Sequence, residues 1–133
     1  MCGIVGYLGK KRNVDFVIKK LKMLEYRGYD SSGVAVKNDD GISIFREVGG
    51  IKNLEEKLPK NKEMTLAIAH TRWATHGKPS EINSHPHSSK NGEWIVVHNG
   101  IIENYLELKN ELKDSKKCST AKLNDDLETK ELK

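Results

Sequence analysis

Apolar residues recur along this chain in two rhythms, and the switches between them mark out its elements. Ile4, Val5, Tyr7 and Leu8 form a short apolar run bounded by glycines, which predicts a buried strand. Asn13 offers a helix cap, and Val14, Val17, Ile18, Leu21 and Leu24 then fall on one helical face, with Gly28 where such a helix should stop. Gly33 to Val36 reads as a strand, Asn38-Asp39-Asp40-Gly41 as a turn, and the alternation from Ile42 and Ile44 to Val48 as the second strand of a hairpin. A short helix is expected from Ile51 to Leu58, ended by Pro59. Met64 to His70 and Trp94 to His98 predict two more strands, and Asn104 opens a helix with Leu108 and Leu112 on one face. The order strand, helix, hairpin, helix, strand, long loop, strand, helix suits an α/β or α+β layered domain.

Length and composition narrow the picture. At 133 residues the chain has room for one domain with a real core. With 36% hydrophobic and 32% charged residues it reads as an ordinary soluble globular protein. No apolar run approaches the roughly 18 residues of a membrane helix, and the basic cluster Lys10-Lys11-Arg12 follows the first apolar run rather than preceding it, unlike a signal peptide. A cytoplasmic location is therefore expected, and Cys2 and Cys118 supply no disulfide framework to oppose it. The net charge of +4 is dispersed, without a basic patch interleaved with aromatics, so no nucleic-acid partner is expected. After Tyr105 the character changes: residues 106–133 carry seven acidic and seven basic side chains and no aromatic, a composition that suits disorder beyond the first helix turns. The expected division is thus 1–113 as the folded part and 114–133 as a charged tail.

Four features carry candidate chemistry. Cys2 follows the initiator Met, so removal of Met1 leaves a thiol and a free α-amine on one residue. An amine with a pKa of about 7.7–8.0 can accept the proton of a thiol near 8.5, the base-plus-nucleophile arrangement of N-terminal threonine hydrolases. Taken alone, Cys2 is more often a small packed residue. The second feature is the string from His70 to Gly77 at the end of a predicted strand, where Arg72 offers a fork for a carboxylate and Trp73 a rigid apolar wall. The third is His98-Asn99-Gly100, whose Asn side-chain N–H and Gly backbone N–H can converge on one oxyanion. On spacing alone, however, Asn-Gly is a hairpin-turn signal. The fourth, His85-Pro86-His87, raises a metal site, but no Cys-x-x-Cys or His-Glu-x-x-His spacing accompanies it. No metal and no cofactor are expected, and the histidines are read as hydrogen-bonding within their loop. That loop, residues 71–92, is longer than compact domains usually tolerate without a functional reason.

Together these blocks resemble the class II glutamine amidotransferases. Cys2-Gly3-Ile4-Val5-Gly6 is similar to the opening of that family after Met loss, and Arg27 to Gly33 resembles a second block. His70 to Gly77, Pro79-Ser80-Glu81, Asn83 to His87 and His98 to Asn104 resemble its glucosamine-6-phosphate synthase branch. The likeness runs over residues 1 to about 113. It implies an α+β Ntn-hydrolase fold, a four-layer αββα sandwich, incomplete at the C-terminus. It further implies Cys2 as nucleophile, its α-amine as base, and Asn99 with the Gly100 backbone as oxyanion hole. Arg72 would pair with the α-carboxylate of glutamine, Thr75 and His76 would line the pocket, and Trp73 would belong to a lid running from Arg72 to about Pro79.

The likeness also has an edge. The family's glutaminase domain runs well past 200 residues and carries a Ser-Glu-Thr-Asp-Thr-Glu block whose Asp binds the substrate α-amine. This chain has Cys118 to Leu127 in that place, and neither Asp125 nor Asp126 has the flanking pattern. Two functional readings stay open at this level. One is a glutaminase that supplies ammonia, through an isomerase domain not contained in these residues, for conversion of fructose 6-phosphate to glucosamine 6-phosphate in amino-sugar biosynthesis. The other is an inactive fragment or interaction module, a homo-oligomer or one piece that pairs with a separate chain.

Overall fold

The computed structural model describes residues 2–73 and 78–114. Its centre is a four-stranded antiparallel sheet in the order β1-β4-β2-β3, formed by β1 (Gly3–Asn13), β2 (Ser31–Asn38), β3 (Gly41–Val48) and β4 (Glu63–Arg72). The hairpin read from Asn38 to Gly41 joins β2 to β3 in register. Two helices, α1 (Asp15–Lys22) and α2 (Ile51–Lys57), cover one face of the sheet.

Local chemistry explains the helix boundaries. The Asn13 side-chain oxygen accepts the Asp15 backbone N–H at 2.9 Å, satisfying one of the open donors at the start of α1. Asp15 in the first turn and Lys19, Lys20 and Lys22 in the last complement the helix dipole. The helix stops at Lys22, earlier than the apolar spacing suggested. Leu24 instead precedes a 3₁₀ turn (Glu25–Arg27) that ends at Gly28, where φ is +86°. The freed Leu24 side chain packs against Gly3, occupying the space a Cβ there would need.

The core lies between helices and sheet. Val14, Val17, Ile18 and Leu21 from the α1 region and Ile51 and Leu54 from α2 meet Val34, Val36, Ala67 and Ala69 of the two inner strands. Small alanines on β4 let the helices approach, and Leu and Ile side chains fill the space between. β2 is buried over the whole run Ser31 to Val36, without the alternation of a half-exposed strand. Its second face is covered by the loop at His85: a Cβ on Gly33 would sit 2.2 Å from the His85 carbonyl oxygen, so only glycine admits that crossing.

Two further expectations are revised. β1 extends through the polar residues to Asn13, with an irregularity between Leu8 and Arg12, because β4 offers it pairing partners beyond the apolar run. The strand expected from Trp94 to His98 shrinks to β6 (Ile95–Val96), paired with β5 (His87–Ser88) inside the stretch read as an unstructured loop. Helix α3 (Tyr105–Asp114) forms where Asn104 was read as its opening, with Leu108 and Leu112 one turn apart on it and both exposed.

Away from the helices the sheet keeps an open apolar strip. Leu8, Leu66 and Ile42 fall in one cross-strand row with Lys37, and all three apolar members are exposed. No helix among the described residues is long and apolar enough to cross a membrane.

Candidate active site

Pairing of β1 with β4 sets Gly3 opposite Thr71, and so delivers the residue before Gly3 to the residues after Thr71. The Cys2 sulfur accepts the Trp73 backbone N–H at 3.3 Å and lies 3.8 Å from the Trp73 carbonyl oxygen. The Asn99 side-chain amide donates to the Cys2 carbonyl at 3.1 Å, although 97 positions separate the two in sequence. Arg72 lies 3.9 Å from the Asp30 carboxylate, with most of its side chain buried. Asp30 is fixed through its backbone, donating to the Arg72 carbonyl at 2.7 Å and accepting from Gly49 at 2.7 Å. The Trp73 ring, half exposed, lies over Gly28, where a Cβ would come within 2.2 Å of it. Gly100 adjoins Asn99 in an exposed turn, its backbone beside the His98 ring. Thiol, arginine, tryptophan and asparagine, drawn from three separate sequence blocks, therefore gather at one end of the sheet. Thr75 and His76 lie outside the described residues, as do Cys118, Asp125 and Asp126.

Behind this group three imidazoles pack together, His85 tilted over His70 and edge-on to His87. The ring centroids of His70 and His85 are 4.3 Å apart, and those of His85 and His87 also 4.3 Å. The Arg46 side chain ties the loop down by donating from Nε to the Pro86 carbonyl at 2.6 Å. His70 is 1% exposed, and neither of its ring nitrogens makes a well-formed hydrogen bond among the described residues. Of the loop histidines expected to hydrogen-bond within their loop, His85 leaves Nδ1 buried without a hydrogen-bond partner among the described residues, and its ring packs against His70 of β4. Burial lowers the His70 pKa to about 4; His87, Arg72 and His98 add unfavourable charge, opposed by the His98 backbone. Burial likewise lowers His85 to about 3, with His70, His87, Arg72 and His98 adding to it. His87 is lowered by burial and then by Arg46 and Arg72. No cluster of three or more His, Cys, Asp or Glu among the described residues has the geometry to hold a metal ion.

Comparison with known proteins decides the family. No protein-family model matches the chain. The glutamine–fructose-6-phosphate aminotransferase (isomerizing) of Bacillus subtilis is 54% identical over 111 residues, 84% of this chain and 18% of that protein. The Clostridium acetobutylicum protein of the same name is 54% identical over 114 residues, 85% of this chain and 19% of its own. This chain belongs to the glutamine–fructose-6-phosphate aminotransferase family. It spans about a fifth of the length of the relatives it matches. Among solved structures, the Bacillus subtilis glutamine phosphoribosylpyrophosphate amidotransferase, complexed with ADP and GMP, superposes with a TM-score of 0.72 at 23% identity. That match covers 86% of this chain and 25% of that one. The fold is accordingly that of the Ntn-hydrolase amidotransferases.

Three contributors to this aminotransferase-family site escaped the reading of the sequence. The Thr71 hydroxyl accepts the Gly3 backbone N–H at 3.0 Å; Asp30 lies beside Arg72; and Gly28 makes room for the Trp73 ring. All three stand inside the blocks that carried the family likeness, but their roles are contacts between blocks, which residue spacing does not reveal.

The histidine cluster yields a pH prediction. Each imidazole is held neutral when folded but takes up a proton near pH 6.5 when unfolded, so the unfolded state binds more protons and stability falls as pH drops below about 6.5. His70 alone should cost on the order of 2 kcal/mol between pH 7 and pH 5. Urea-unfolding midpoints across that range should decline, and His70→Gln should flatten the decline. An equal slope in the variant would remove the cluster as its source.

Proposed function

We propose that this chain performs the glutamine-splitting half-reaction of its family, with Cys2 as nucleophile. The observation that carries the reading is the convergence on Cys2: its sulfur sits at the Trp73 N–H and its carbonyl at the Asn99 amide. With Met1 removed, the Cys2 α-amine takes the thiol proton, directly or through a water, and the thiolate attacks the side-chain amide carbon of glutamine. Asn99 Nδ2 and the Gly100 N–H then stabilise the oxyanion; losing one such donor typically costs about 3–4 kcal/mol. For this the Asn99 amide turns from the Cys2 carbonyl, which it now meets, to the substrate oxygen. The amide nitrogen leaves as ammonia with the proton returned from the α-amine. A γ-glutamyl thioester remains, and water releases glutamate and regenerates the thiol. The reaction needs neither metal nor cofactor.

The remaining residues bind. Arg72, its guanidinium oriented by Asp30, pairs with the glutamine α-carboxylate. Trp73, resting on Gly28, belongs to a lid that excludes water before the thioester forms, and Thr75 and His76 line the pocket. Residues 1–113 form the working part of the amidotransferase domain, with 114–133 a separate charged tail. In the whole protein the ammonia passes to fructose 6-phosphate, the second substrate in the relatives' name. A cytoplasmic location fits these substrates. Purified chain lacking Met1 should release glutamate from glutamine, and Cys2→Ala should lower that rate by at least about 10³-fold. Turnover unaffected by the substitution would reject the mechanism.

A second reading has its own support. The exposed row Leu8, Leu66 and Ile42, and the open edges of β1 and β3 among the described residues, suit a module that pairs with a further polypeptide. Light scattering coupled to size exclusion separates the cases: self-association or capture of the remaining part of a family member supports it, and a well-behaved monomer in both settings counts against it.

A further inference from the structure

Thr71 occupies a place in the sheet that the proposed chemistry does not use. It is fully buried on β4, directly opposite Gly3 of β1 on one side and Ser32 of β2 on the other. Its hydroxyl oxygen accepts the Gly3 backbone N–H at 3.0 Å. The same oxygen stands 2.9 Å from where a Gly3 Cβ would be, beside Leu24 at 2.8 Å, so the missing side chain of Gly3 and the hydroxyl of Thr71 fit each other. Strand alternation puts Thr71 on the helix side with Ala69 and Ala67, and Arg72 on the opposite side with His70. Thr71 therefore reaches the nucleophile's backbone from behind.

The need for such a contact follows from where the nucleophile sits. A residue at a chain end has only one peptide bond holding it, and ends fray unless tied down. Of the hydrogen bonds at Cys2 and Gly3, the one from Asn99 is broken in the proposed reaction, when that amide turns to the substrate oxygen, and the one from Trp73 comes from a residue of the proposed lid. The bond to Thr71 is buried and does not have to move.

We propose that Thr71 is a positioning residue for the Cys2 nucleophile, its hydroxyl clamping the Gly3 amide so that the sulfur stays at attacking distance. The kinetic part of this inference rests on the glutaminase reading; the structural part does not. Thr71→Val keeps the shape and removes the acceptor, leaving a buried N–H unpaired, whereas Thr71→Ser keeps the acceptor. In Thr71→Val, kcat for glutamine hydrolysis should fall about 10- to 100-fold with KM within about threefold, because the loss is one of orientation and not of binding. Thr71→Ser should stay within about threefold of the unaltered chain. Independently of glutamine, NMR hydrogen exchange should show the Gly3 amide losing at least about tenfold of its protection in Thr71→Val, with the Val34 and Val36 amides unchanged. The proposal is overturned if Ser fares no better than Val, if the loss appears in KM, or if protection drops equally across the sheet. Should the unaltered chain release no glutamate, the glutaminase reading fails separately, and the exchange data still decide the role of Thr71.

Discussion

The antiparallel pairing of β1 with β4 is the constraint on which the site depends. It places the second residue of the chain against the end of an inner strand, and every feature of the site is measured from that contact. Fixing one residue's backbone costs roughly 1–2 kcal/mol of conformational entropy, and residues near a chain terminus are poorly ordered unless tied down. The pairing spreads the cost over a ladder running from Gly3 to Asn13, anchored by a core in which Ala67 and Ala69 of β4 lie under the helices. Cys2, next to Gly3, is thereby set against an inner strand that the core holds in place.

The opposite face of the same strand carries a second constraint. The loop containing His85 and Pro86 crosses β2 at Gly33 and is held by imidazole stacking on His70 and by Arg46. Through that crossing the long connection after Trp73 returns to the sheet, and the chain can then bring Asn99 back to Cys2. The arrangement needs neutral imidazoles: a proton on any of them would introduce a charge into a buried cluster already facing Arg46 and Arg72. Adhesion of the loop is thus tied to pH through burial.

Much of this was legible in the residues, and the failures share a cause. Helix α1, the β2–β3 hairpin, α2 and β4 follow from local periodicity and turn chemistry, which are properties of short windows. Cys2, Arg72, Trp73, Asn99 and Gly100 stood out through block likeness, and the first four are brought together here with Gly100 next in the chain. What could not be read is the sheet order, the stacking of His85 on His70, and the use of the Thr71 hydroxyl, since each joins segments far apart in sequence. The polar end of β1 was missed for the same reason: Arg12 and Asn13 are strand residues only because Met64 and Glu63 lie opposite them. Trp94 failed in the other direction; its apolar character suggested a strand interior, yet it is 76% exposed and lies before β6.

The central claim is that Cys2 is a terminal, reactive nucleophile shaped to meet glutamine. Its most direct test is the intact mass of the chain after brief treatment with a glutamine-mimicking electrophile, followed by peptide mapping. A single adduct on Cys2, formed only on molecules lacking Met1 and suppressed by excess glutamine, is the predicted result. An unmodified Cys2 in Met1-free protein, or labelling that glutamine does not protect against, would contradict it.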